Sequence, residues 1–302
     1  MLAMLRRMSS TLNERTDSLA AGAGRATACA LGAIALWSTL AALGVRLSHV
    51  PPFLLTGLAL IVGSIPAWRR WRQWRVSALA LALGVYGLFG FHWLLFMAVR
   101  HAPPVQANLV NYLWPLLIVV LAPLVLPAVK LRARHVIAAL AGLAGAALAI
   151  ASGRGLSGGL EWGYALALGS AFVWATYSLG TRRLADTGRG FSTSAVGLFA
   201  LVSGVLSLLC HLLLEPRTAL ASTDLAWIVV MGLGPLGAAF YLWDYAFKHG
   251  DPRRIGVLSY ITPLASTALL IATTGRPFTI WIGAAAALIV GAALVAMRGP
   301  SD

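Results

Sequence analysis

Apolar and polar positions along the chain alternate on the scale of tens of residues: long apolar runs are separated by charged or Pro/Gly-rich punctuation. A helix that crosses the hydrocarbon core of a bilayer needs roughly 20 mostly apolar residues. Runs of about that length predict ten transmembrane helices, near 26–46, 53–68, 76–100, 103–126, 133–152, 160–184, 191–214, 223–249, 251–272 and 278–297. The fold class this implies is an all-α polytopic membrane protein. Composition agrees, with 59% hydrophobic residues, 11% charged residues and a mean hydropathy of +0.82, outside the range of soluble domains.

The net charge of +14 would suit nucleic acid if it formed a patch, but the basic residues sit at the ends of the apolar runs. With a cytoplasmic N-terminus, only Arg46, Arg100, Arg154, Arg217 and Arg276 fall outside, leaving 18 of the 23 Lys and Arg inside. That bias follows the positive-inside rule. It places both termini in the cytoplasm, as tails 1–25 and 298–302, and it argues against a nucleic-acid partner. The polar first 25 residues hold no small-residue cleavage site behind a short apolar core, so they read as a tail and not as a cleaved signal peptide. Cys29 and Cys210 lie inside runs without CxxC spacing and read as small apolar fillers.

The chain also repeats itself. "LGAIALWSTLAALGVRL" (31–47) lies over "LGSAFVWATYSLGTRRL" (168–184) at an offset of 137, and 84–116 lies over 232–264 at an offset of 148. The coinciding positions include Trp37/Trp174, His101/His249, Pro104/Pro252, Tyr112/Tyr260 and Pro115/Pro263, residue types too rare for chance in Leu/Ala-rich helices. Five helices per half, 26–152 and 160–297, is an odd number, so the second half enters the membrane from the opposite face. Inverted repeats are an architecture of secondary transporters, with substrate held near the midplane between the halves.

Within the apolar runs, "VNYLWP" (110–115) lies over "LSYITP" (258–263). Proline inside a helix removes a hydrogen bond from the carbonyl four residues earlier. Here those carbonyls belong to Asn111 and Ser259, so Pro115 and Pro263 are expected to break or hinge their helices facing protein or a water-filled cavity. Asn108, Asn111, Tyr112 and Pro115 share one helical stripe, as do Gly256, Ser259, Tyr260 and Pro263. Trp37, His92, Trp93, Trp114, Trp174, Tyr177, Tyr241 and Tyr245 extend the candidate lining. Trp68, Trp71, Trp74 and Trp162 sit at helix ends, where an interfacial belt explains them. Aromatic walls with amide and hydroxyl groups suit a substrate apolar at one end and zwitterionic at the other: rings stack, ring faces attract an ammonium, and neutral groups hydrogen-bond.

Of nine acids only Asp244 lies inside a predicted helix away from its ends, four residues before Lys248, the favourable order for a helix ion pair. His92 titrates in the neutral range when unperturbed, but a single buried His is more often a packed, hydrogen-bonded residue. With no convincing ion relay, the pattern leans toward facilitated or weakly coupled transport. No metal, cofactor or catalytic set is expected: there is no GxSG elbow or HExxH, and the six His are scattered.

"ALWST" (35–39), "VNYLWP", "AFVWATY" (171–177) and "LSYITP" resemble the drug/metabolite transporter superfamily of EamA type, and within it the bacterial aromatic amino acid exporters of the YddG type. The resemblance implies ten helices in two inverted five-helix repeats, a location in the cell inner membrane, and export of aromatic and other hydrophobic amino acids through a cavity lined by helices 1, 3, 4, 6, 8 and 9. The partners expected are a small-molecule substrate, aromatic or hydrophobic amino acids, and membrane lipids; a monomer suffices for such a carrier, though the sequence does not fix the oligomeric state. The rival readings are a multidrug or nucleotide-sugar carrier of the same fold and, more remotely, a polytopic membrane enzyme. A nucleotide-sugar site would want basic residues in the cavity, and none is expected near the midplane.

Overall fold

The structure is a computed structural model that describes residues 22–151, 161–274 and 279–297; the expected tails, apart from residues 22–25, lie outside the described residues. Among the described residues the regular structure is helical, with no strand, and falls into ten rods and one short 3₁₀ turn, Trp71–Trp74. We number them α1 (Gly22–Arg46), α2 (Pro52–Trp68), α3 (Ala78–Arg100), α4 (Pro104–Val125) and α5 (Ala133–Ala151), then α6 (Gly163–Asp186), α7 (Thr193–Leu214) and α8 (Ser222–His249). The ninth rod, α9, has two segments, Pro252–Leu258 and Ile261–Thr274, and α10 is Ile280–Met297. Each rod falls on one of the expected apolar runs. By length and composition α1, α3, α4, α7 and α8 can cross a membrane; α2, α5 and α10 are apolar over shorter stretches.

Local chemistry sets where the rods begin. Pro52, Pro104 and Pro252 each stand in a first turn, where a missing N–H costs nothing and the fixed φ is already helical. Ser77 caps α3 by accepting from the Ala80 N–H.

The two irregularities inside the rods recur at the repeat spacing. Wide π-turns occupy Tyr86–Gly90 in α3 and Gly234–Ala238 in α8, starting 148 residues apart. The helices that follow are broken at Tyr112–Leu113 in α4 and at Ser259–Tyr260 in α9, each just before its proline. The two broken rods pack closely beside the breaks: a side chain at Gly256 would stand 3.1 Å from the Pro115 carbonyl oxygen. The Ser259 carbonyl is not left open, because the Thr262 N–H closes a tight turn onto it at 3.0 Å.

α2 and α7 pack antiparallel at backbone distance. A Cβ on Gly204 would lie 2.8 Å from the Gly57 carbonyl, and one on Gly197 would meet Ala67. Where lipid surrounds a bundle, such small-residue contacts supply van der Waals packing that hydrophobicity cannot. Both ends of this pair are tied. At one end the Glu215 carboxylate, wholly buried, accepts from the Phe53 and Leu54 N–H groups at the start of α2 (3.0 and 3.2 Å). It is also paired with Arg100 at 3.2 Å and His211 at 3.0 Å. At the other end Gln73 Oε1 accepts from the Ser192 and Ser194 hydroxyls that open α7, both at 2.9 Å.

Candidate functional site

A cavity of about 400 Å³ lies between α1, α2, α3, α4, α6, α8 and α9. Its residues come from the α1 segment ending at Arg46, the starts of α2 and α4, the end of α3 and the middle of α6, α8 and α9, so it occupies the half of the bundle that contains Arg46, Arg100 and Glu215. Trp37, His92, Asn108, Asn111, Tyr112, Trp114 and Trp174 line it. No Asp, Glu, Lys or Arg is among its lining residues.

The floor is a cluster of indoles. Trp37 meets Trp174 edge to face at 5.6 Å and Trp243 at 4.9 Å; Trp114 lies 5.6 Å from Trp243 and 6.5 Å from Trp174. Edge-to-face and offset contacts at these spacings are the favourable ones for aromatic quadrupoles. Polar handles hold the rings in place: Trp37 Nε1 donates to the Pro235 carbonyl in the α8 π-turn, and Trp243 Nε1 donates to Ser178 Oγ, both at 3.0 Å. Beneath this floor the expected pair forms, with Lys248 Nζ 2.7 Å from Asp244 Oδ2. Asp244 also accepts from Thr193, while Lys248 donates to the Phe191 carbonyl, so the pair bolts α8 to the start of α7 outside the cavity.

The neutral polar groups stand on the wall. His92 Nδ1 lies 2.6 Å from the Leu88 carbonyl in the α3 π-turn. Since a carbonyl only accepts, Nδ1 carries a proton, and in the neutral ring Nε2 is then an acceptor. Ser170 on α6 donates to Asn111 Oδ1 at 2.6 Å, fixing the amide beside the α4 break and leaving its NH₂ as a donor. Asn108 and Tyr112, both half-buried, complete the set.

Six residues expected at the site lie elsewhere. Tyr260 is fully buried among Ala146, Ile289 and their neighbours, its ring on Gly142 of α5. Tyr177 packs on Gly87, where a side chain would overlap its ring. Tyr241 donates to the Gly63 carbonyl at 3.0 Å, and Tyr245 stacks on His249 with Arg25 over its ring. Ser259 donates to the Ile255 carbonyl within its own helix, and Trp93, half-buried, is not among the lining residues.

Sequence reasoning missed Phe91, Phe96, Phe240, Thr262 and Ser266, which do line the cavity. Two of them were within reach, because Phe240 and Thr262 are the repeat mates of His92 and Trp114 at the offset of 148. Three repeat-related pairs, Trp37/Trp174, His92/Phe240 and Trp114/Thr262, thus converge on one cavity.

Comparison with known proteins places this geometry. The EamA-like transporter family model matches twice, over residues 25–151 and 161–298, one match to each half. The aromatic amino acid exporter YddG of Ancylobacter novellus is 40% identical over 281 residues, covering 90% of this chain and 96% of that protein. The proteins of the same name from Salmonella typhimurium and Escherichia coli are 31% and 30% identical, each match covering 86% of this chain and 93% of the relative. A solved crystal structure, 39% identical, superposes with a TM-score of 0.85 over 90% of this chain and 95% of its own. Twin family matches, close relatives over nearly the full length and an apolar helical bundle lead to one conclusion: the chain belongs to the EamA-like transporter family and is a multi-pass membrane transporter.

Proposed function

We propose that the chain exports aromatic and other hydrophobic amino acids across the cell inner membrane by alternating access, with the indole-floored cavity as the substrate site. The observation that carries this reading is the pairing, in one cavity, of an aromatic floor with neutral donors and acceptors and no charged side chain. Its volume of about 400 Å³ falls within the roughly 300–1,000 Å³ range of small-molecule sites. The substrate's ring lies against Trp37, Trp114 and Trp174. Its ammonium is accepted by His92 Nε2 and drawn to the indole faces, and its carboxylate takes the Asn111 and Asn108 amides and the Tyr112 hydroxyl. Neutral partners avoid a buried fixed charge and let the substrate leave.

In this reading all ten rods cross the membrane, as inverted repeats 26–152 and 160–297 with both termini in the cytoplasm. The positive-inside bias then puts Arg46 and Arg100 at the outer face, and the cavity in the outer half. The breaks before Pro115 and Pro263 are the points about which the halves rock. A multidrug or other small-metabolite carrier is the second reading, favoured by the same aromatic walls and lack of charge.

Counterflow in proteoliposomes tests it. Vesicles loaded with unlabelled tryptophan and diluted into labelled tryptophan accumulate label, vesicles without protein do not, and an imposed pH gradient changes nothing. Failure to accumulate tryptophan by folded protein that does accumulate a hydrophobic organic cation would instead establish the multidrug reading.

A further inference from the structure

A second cavity, of about 300 Å³, lies on the outer side of the bundle between α1 and α8. Its walls are apolar, Leu36, Ala42 and Leu43 from α1 and Val230 and Pro235 from α8, and Arg46 and Trp227 stand at the end nearer the start of α8. The surrounding face is exposed and apolar, with Val45, Val229, Val230 and Leu233 on the surface, so in a membrane the groove opens onto lipid tails. α1 loses helical regularity at Thr39, whose N–H and hydroxyl both turn back to the Leu36 carbonyl. Across from it, the π-turn widens α8 at Gly234–Ala238.

The charge at the groove's end is distinctive. Arg46 is exposed and lies over the Trp227 ring at 4.8 Å, and among the described residues no carboxylate stands within ion-pair distance of it. Nearby, His49 is matched by Asp224 at 3.2 Å. A guanidinium over an indole face, with no carboxylate partner, keeps N–H donors for an anion, and Arg forks suit phosphate.

We infer that this groove binds one anionic phospholipid, an acyl chain lying against Leu36, Leu43 and Val230 and the phosphate at Arg46. The site has a consequence for the central cavity. Pro235 forms groove wall on one side, and its carbonyl holds Trp37 Nε1 on the other, so an acyl chain in the groove braces the indole floor. The lipid site itself does not depend on the identity of the transported substrate.

Native mass spectrometry of the full chain, extracted from bilayers with equal phosphatidylglycerol and phosphatidylcholine, tests the assignment. The wild type retains phosphatidylglycerol over phosphatidylcholine by about five-fold, the effect of one basic residue meeting a net negative headgroup. Arg46→Gln, at an exposed position, brings the ratio to about one. Ala42→Phe or Val230→Phe fills the groove from either wall and lowers retention of both lipids; Val230 is half-exposed, so the second variant keeps the test valid if the first does not fold. A ratio that survives Arg46→Gln, or retention unchanged in a folded groove-filling variant, overturns the proposal.

Discussion

Tyr112 and Trp174 both face the cavity, but they differ in what else they support. Tyr112 is half-buried, whereas Trp174 is 3% exposed and packs on Phe91, Tyr177, Phe240 and Trp243. Tyr112→Ala is therefore expected to abolish tryptophan transport while the unfolding midpoint in detergent stays near that of the wild type. Trp174→Ala should abolish transport and also lose about 3–5 kcal/mol, as truncations of buried Trp do. A second residue-scale expectation concerns Asp251, in the loop between α8 and α9. Burial raises its pKa, but the Arg253 hydrogen bonds and charge and the Arg254 charge outweigh that and hold the carboxyl below its usual range. A group with a lowered folded pKa contributes its stability above the unfolded value, about 4 for Asp, and loses it as the pH falls through the folded one. The unfolding midpoint should thus drop as the pH falls from neutral to about 3, and Asp251→Asn should flatten that acid limb.

The rods themselves were legible, because apolar length and basic ends are strong signals and the two prolines marked the breaks. Which aromatic residues face inward was less so, and the breaks explain why. Helical spacing carries a stripe along an unbroken rod at 3.6 residues per turn, but α9 changes register at Ser259–Tyr260, and Tyr260 turns out toward Gly142. Tyr177 shares a stripe with Trp174, yet the glycine of the α3 π-turn gives its ring a slot outside the cavity. The π-turns had no sequence signal apart from the repeat. Element packing yields two further expectations. Glu215 satisfies the start of α2, Arg100 and His211 together, so Glu215→Ala should cost roughly 3–5 kcal/mol, the usual penalty for leaving buried partners unmatched. A Cβ on Gly63 would stand 2.7 Å from the Leu236 carbonyl and 2.8 Å from that of Gly232. Gly63→Val should therefore force α2 from α8 and abolish folded yield, read by size-exclusion chromatography.

For the molecule as a whole, the repeat does more than fold two halves alike. It delivers Trp37 with Trp174, His92 with Phe240 and Trp114 with Thr262 to one place, so that a cavity forms where the halves meet and its walls stay free of charge. Near-identity of repeat mates was readable for the tryptophans; where the mates had diverged, as His92 and Phe240 have, only three-dimensional placement joined them. The central claim is that substrate lies on the indole floor of this cavity, and binding of labelled tryptophan to the purified protein tests it most directly. Saturable binding should be lost in Asn108→Ala and Tyr112→Ala, which alter the wall, and kept in Tyr245→Ala, which alters a ring stacked on His249 away from it. Binding that survives both wall substitutions in folded protein would contradict the account.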